Sequence, residues 1–240
     1  MSERIITFRS RRNFLSAALT SVPAVGLLGG SAVLPSTAAA QPVSESKSPY
    51  EPRYFNPQEW EFVNAAVDRL IPSNEDGPGA LELGVAEFID REMDGSYGHG
   101  GLWYMHGPFV PESPATLGYQ LRFTPRELYR SGIAAVERWC NQQHGKTFSQ
   151  LDTDTRDAIL HQLEGDKIAL EGVPASTFFA QFLQNTKEGY FADPMYGGNN
   201  GMGSWKMIGF PGARADFIDW VEQPGKVYPF GPVSIKGAKP

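Results

Sequence analysis

Apolar side chains recur at helical spacing in five stretches of this chain, and residues that start or stop helices bracket most of them. Trp60, Val63, Val67, Leu70 and Ile71 form the first stripe. Asn56-Pro57-Gln58-Glu59 precedes it as an N-cap, a proline at the first helical position and a capping-box glutamate, and Pro72 ends it. After the loop SNEDGPG, Leu81, Val85, Phe88, Ile89 and Met93 mark a second helix that fades at Gly95. Thr124-Pro125-Arg126-Glu127 repeats the capping box and opens a long helix. Its apolar face holds Leu128, Gly132, Ala135, Val136 and Trp139, and its end falls near His144-Gly145. Ile159, Leu160 and Leu163 follow an acidic start at Asp152 and Asp154, and Phe178, Phe179, Phe182 and Leu183 follow Pro174. Two-residue alternation, long-period repeats and a strand-helix-strand rhythm are all missing. The pattern predicts a mainly α fold, about five to six helices in one compact domain, with long ordered Gly/Pro/aromatic loops. Its helical body spans residues 55–222, with a helical segment expected around Asp216–Val221.

The periodicity fails in two interior stretches, and both are rich in glycine and aromatics. Residues 95–123 (GSYGHGGLWYMHGPFVPESPATLGYQLRF) form a long loop of a kind that is usually functional or a binding arm. Residues 189–199 (GYFADPMYGGN) pack three aromatics, three glycines and a proline around one charge. Glycine there permits close backbone approach, Asp193 before Pro194 is biased to extended backbone, and Asn199-Asn200 tolerate the left-handed region. Such a loop is rigid. Tyr190, Phe191, Tyr196, Trp205 and Phe210 are stiff, amphipathic groups of the type that dominates binding hot spots. Together with Asp193, Pro194 and the arm's Trp103 and Tyr104, they are the candidate partner-binding residues; the competing reading is that they seal this chain's own core. Residues 223–240 (QPGKVYPFGPVSIKGAKP) form an extended tail that must lie on this body or on another.

The N-terminus changes the picture of where the protein works. Arg11 and Arg12, then Phe14 and Leu15, precede an uncharged, moderately apolar run to Ser44, and Ala38-Ala39-Ala40 supplies small residues for a signal peptidase. Residues 1–40 resemble a twin-arginine signal, which exports proteins already folded, with cleavage between Ala40 and Gln41. An uncleaved anchor and a general secretory signal are the competing readings, and the dilution of the run by Ser, Thr, Pro and Gly argues against an anchor. Residues 41–54, polar and rich in Ser and Pro, read as a flexible tether, with order beginning near Phe55.

Charge narrows the partners. Residues 1–40 hold four of the 21 basic residues and one of the 27 acidic ones, leaving 17 against 26 and a balance of −9 beyond them. That balance disfavours nucleic acid and anionic lipid, so any membrane association is indirect. The single cysteine, Cys140, rules out an intramolecular disulfide and a self-made iron–sulfur ligand set. Glycine-rich phosphate loops, HExxH and GxSxG are absent. His99 and His106 flank the arm's centre, and Asp157, His161 and Glu164 share one helix face, but a di-iron bundle needs paired sets. No catalytic, cofactor-binding or metal residue is therefore assigned.

Two motif regions resemble the gluconate 2-dehydrogenase subunit 3 family. One is Leu70-Ile-Pro72 with Pro78-Gly-Ala80 and Gly84-Val85 through Phe88-Ile-Asp90. The other is Gly189-Tyr-Phe-Ala-Asp-Pro194 with Tyr196-Gly-Gly-Asn199, Trp205 and Ile208-Gly-Phe-Pro-Gly212. The resemblance implies the small subunit of a membrane-associated dehydrogenase that oxidises gluconate, 2-ketogluconate, sorbitol or fructose. This chain would hold no cofactor; FAD would sit in a large catalytic subunit and haem c in a multihaem cytochrome c subunit. The signal would then serve the complex through the twin-arginine translocase, carrying the flavoprotein across with it. The alternative is an independent periplasmic sugar-binding protein or enzyme, with a pocket between the two aromatic loops that uses His99, His106 or Asp193 and stacks sugars on Trp103, Tyr104 or Trp205.

Overall fold

The structure, a computed structural model, describes residues 50–237. The expected signal, with Arg11, Arg12, Phe14, Leu15, Ala38 and Ala40, and tether residues 41–49 lie outside the described residues. Six α-helices form the body: α1 Pro57–Leu70, α2 Val85–Asp94, α3 Pro125–His144, α4 Thr153–Glu164, α5 Ala175–Phe191 and the short α6 Gly203–Ile208. Among the described residues, β structure is limited to isolated bridges at Asn74/Gly77 and Gly212/Val233.

The local signals act as their chemistry requires. Asn56 Oδ1 accepts from Glu59 N at 2.9 Å while Glu59 Oε2 accepts from Asn56 N at 3.0 Å, closing the capping box of α1. Glu127 closes the same box on Thr124, at 2.8 Å, and opens α3, which ends with Gly145 in the left-handed region. Asp152 caps α4 through Thr155 N at 3.0 Å, and this hydrogen bond holds its carboxyl below the usual range.

The core is aromatic. Phe62 of α1 meets Phe148 at 4.9 Å and Phe182 of α5 at 6.2 Å, and Tyr129 of α3 joins Phe182 at 5.6 Å. Gly132 lets α3 approach α5, since a Cβ there would lie 2.3 Å from the Phe178 ring. Burying the Tyr129 hydroxyl requires a partner, and it donates to Asn185 Oδ1 at 3.0 Å. Asn185 in turn accepts from Gln181 and donates to Tyr97 and Glu188, so its hydrogen-bonding capacity is filled. Cys140 is fully buried, and burial, with Glu137 nearby, pushes its thiol up to about 12.

Four departures from the periodicity matter. Leu81 lies outside α2, in the preceding turn and close to half exposed, because Gly84 in the left-handed region starts the helix later. Helix α5 runs on through Gly189-Tyr190-Phe191, so the aromatic loop begins as a last helical turn. The helix expected near 216–221 is a single 3-10 turn, Ile218–Trp220. Residues 50–54, read as the end of a tether, are fastened down. Asp90, fully buried, accepts from Tyr50 Oη at 2.7 Å and from the backbone of Arg53, Tyr54 and Phe55 at 2.7, 3.0 and 2.9 Å. A buried carboxylate needs such donors, and only the incoming chain supplies them here.

Candidate functional site

Two stretches a hundred residues apart, 71–90 and 189–212, close on each other at the end of the body where α2 begins and α5 finishes. Gly189 makes the approach possible: a Cβ there would fall 2.7 Å from the Phe88 ring. One residue on, Tyr190 is buried, and its hydroxyl donates to the Pro78 carbonyl at 2.8 Å. Asn200 N donates to Leu83 O at 3.0 Å, and Gly203 rests on Leu83 and Pro78. Gly197, at φ 112, lies over the side chains of Arg91 and Glu87.

Polar side chains brace the loop from within. Asp193 is buried, with Oδ1 accepting from Met195 N at 3.0 Å and Oδ2 from Ile235 N at 2.6 Å. One carboxylate thus shapes the turn and latches the tail, whose Val233 also bonds to Pro211 and Ala213. Asn199, fully buried and left-handed at φ 49, donates to Ala192 O at 3.0 Å. Its Oδ1 accepts from Ser204 N at 3.0 Å and Ser204 Oγ at 2.8 Å. Trp205 buries its ring and donates Nε1–H to Phe191 O at 2.9 Å. Gly198 has no room for a side chain, since a Cβ would lie 2.1 Å from Gly189 O. The Gly/aromatic/Asp-Pro order is the order of these constraints.

The nine candidate contact residues therefore divide. Tyr190, Asp193 and Trp205 face inward and hold the loop's shape. Phe191, Tyr196 and Phe210 remain close to half exposed, Pro194 is half-buried, and Phe210 sits edge-on to Trp205 at 5.1 Å. Periodicity did not flag Met207 and Ile208, which join this apolar rim on the outer side of α6. The signal that points to them is their place in a six-residue helix that already commits Trp205 to the inside. Beside the rim an open cavity of about 710 Å³ lies between residues 73–83 and 200–207, with Asn74, Glu82, Lys206 and Met207 in its wall.

The arm at 95–123 leaves the opposite end of α2. Its anchor is Tyr97, whose hydroxyl accepts from Asn185 Nδ2 at 2.9 Å and whose ring meets Trp103 at 5.9 Å. Trp103 is half-buried between Tyr97 and Tyr119, the latter at 4.7 Å. Tyr104 is 84% exposed, with only His106 against it at 5.3 Å.

The residues considered for a pocket between the loops do not converge. His99 lies between the Gly95 carbonyl and Arg126, and His106 lies against Tyr104. Asp193 spends both oxygens on backbone N–H groups at the far end of α5. Asp157 forms a two-point pair with Arg69 at 2.8 and 3.0 Å, which lowers its carboxyl. His161 reaches only the exposed Glu164, at 3.5 Å. Among the described residues no three His, Cys, Asp or Glu side chains gather as metal ligands, and no helix is long and apolar enough to cross a membrane.

The most elaborate side-chain-to-backbone hydrogen bonding in this helical body thus lies beneath an apolar rim. Residues 57–212 match the family model described as gluconate 2-dehydrogenase subunit 3, more than half of the chain, and the protein belongs to that family. No curated protein and no solved structure matches the chain. The matched span covers α1 through α6 and both halves of the braced site, and it ends at Gly212, where the tail bonds back.

Proposed function

We propose that this protein is the non-catalytic small subunit of a periplasmic, membrane-associated, FAD-dependent sugar or sugar-acid dehydrogenase complex. The family supplies the dehydrogenase context. In this reading FAD belongs to a large catalytic subunit, haem c to a cytochrome subunit, and no cofactor to this chain. The small subunit stabilises the flavoprotein and escorts it, folded and loaded, through the twin-arginine translocase.

The observation that carries the reading is the rim. Phe191, Tyr196, Met207, Ile208 and Phe210 stand about 40–55% exposed around a frame braced from within by Asp193, Asn199 and Trp205. Rigid apolar groups held in water by a pre-formed frame lose little entropy on association, which suits them to a protein interface. The experiment is native mass spectrometry of the tagged chain drawn from gently solubilised membranes. A species carrying a flavoprotein and a haem protein is expected; a lone monomer at low salt and high concentration overturns the reading in favour of an independent binding protein. The escort role has its own test. Arg11→Lys with Arg12→Lys strands both this chain and the flavoprotein in the cytoplasm, and undiminished export of the flavoprotein refutes it.

A further inference from the structure

A second surface lies away from the braced site, where the arm meets α3 and the loop before α5. Phe109, Leu121, Phe123 and Pro174 line an apolar cleft of about 390 Å³. It runs directly into a neighbouring cleft of about 370 Å³, sharing Arg122, Phe123 and Gly172 with it. The second cleft is basic, with Arg122, Arg130 and Arg138 in its wall. Arg130, Ala134 and Arg138 fall about one helical turn apart on α3, so the small Ala134 leaves a floor between two arginines whose backbone positions stand about 12 Å apart along the axis.

These arginines are unusual in a chain with 27 acidic and 21 basic residues. Arg122 lies over the Phe123 ring at 5.3 Å and makes no ion pair among the described residues. Arg138 has only Glu171, 3.6 Å away and 88% exposed at its side chain, the one acidic group in the described lining. Exposed pairs of that kind are weak and readily exchanged. Arg130 is more committed, reaching Tyr54 O at 3.0 Å and Glu59 at 3.4 Å.

We propose that this groove binds an acidic peptide segment of a protein partner, with an apolar side chain seated between Phe109 and Pro174 and carboxylates paired with Arg122 and Arg138. Side chains at alternate positions of an extended chain share one face and advance by about 6.6 Å, so a run of alternating acids presents its carboxylates along one side of the groove. Planar guanidinium groups take carboxylates in two-point fashion, and an aromatic or leucine anchor supplies the apolar contact. The inference does not depend on which complex the chain joins.

Fluorescence anisotropy of the full chain against a fluorescein-labelled peptide, Phe-Ser-Glu-Ser-Glu-Ser-Glu, tests it. Saturable binding is expected. It should weaken about tenfold in the Arg122→Glu, Arg138→Glu double variant, when the peptide's Phe becomes Ala, and when salt rises from about 50 to about 200 mM. Both arginines are exposed, and Arg130 is left intact because it holds the incoming chain, so an unchanged melting curve certifies that the variant folds. No saturable binding, equal binding of the peptide with Gln for Glu, or binding unmoved by the two reversals overturns the proposal. Self-association in sedimentation velocity that the same reversals abolish also overturns it, by giving the groove to a second copy of this chain.

Discussion

The braced loop at 189–212 and the arm at 95–123 have nearly the same composition and opposite architectures. Both are rich in glycine, proline and aromatic residues. In the first, Trp205 Nε1, Tyr190 Oη, Asn199 and Asp193 each find a backbone partner outside their own turn, and the rings they carry go inside or onto a fixed rim. In the second, Tyr97 provides the polar anchor, Trp103 is half covered, and Leu102, Tyr104 and Leu117 stand mostly in water. Aromatic content alone does not separate a structural knot from a contact arm. What separates them is whether the polar groups that accompany the rings can satisfy buried backbone.

The largest effect that sharpens this contrast is Trp205→Ala. It empties a buried site and orphans Phe191 O, and we expect a loss of about 4 kcal/mol in urea unfolding. A loss under about 1 kcal/mol breaks the distinction. Gly198→Ala forces a methyl against the Gly189 carbonyl, which the helix end cannot move away cheaply. The expected cost is about 2 kcal/mol, seen as a fall of roughly 4–8 °C in Tm. Tyr104→Ser at the tip of the arm should stay within about 0.5 kcal/mol of the parent, because a side chain in water has little packing to lose. Under the proposed function any consequence falls on partner capture, read as the yield of flavoprotein in a pull-down. A Tm shift as large as that of Gly198→Ala makes the arm part of the core instead.

The smallest effect probes the helix pair that joins the two regions. Glu92 of α2 is raised above the usual carboxylate range by burial and then by Glu188 of α5. A raised folded value favours the protonated form. Its stabilising contribution is complete below the unfolded value, about 4.3, and is lost as pH rises through the folded value. Glu92→Gln should therefore raise Tm near neutral pH, by no more than about 2 °C, and leave it unchanged near pH 4. A constant difference across that range removes the electrostatic explanation. Asp157, lowered chiefly by its hydrogen bond to Arg69, behaves in the opposite sense, adding stability above the ordinary Asp value that is lost as pH falls through its depressed one.

The helices were legible because their signals are local. Asn56 with Glu59 and Thr124 with Glu127 complete their capping boxes within three residues, whatever the rest of the chain does. The extra turn of α5 was hidden by Gly189, which reads as a loop residue and is instead a contact for Phe88. Along the sequence Asp90 is only the last residue of the first family motif, with no structural role attached. Its role depends on residues 50–55, whose backbone donors arrive from a segment that composition marks as a tether.

The site divides in the same way. The residues of 189–212 announced a tightly shaped turn, and its bracing is local because Asp193 and Asn199 hold backbone only a few residues away. Which rings would face water was not written there. Tyr190 and Trp205 are inside and Phe191, Tyr196 and Phe210 outside because Pro78, Leu83 and Phe88, a hundred residues earlier, occupy one side of the loop. The helices, their caps, the family and the tight turn of this loop could be read along the chain, because all of them rest on near neighbours or on motif order. Which groups became core and which surface, and that Arg122, Arg130 and Arg138 border an apolar cleft, follow from the folded chain, because Phe109 and residues 171–174 reach that cleft from segments distant in sequence.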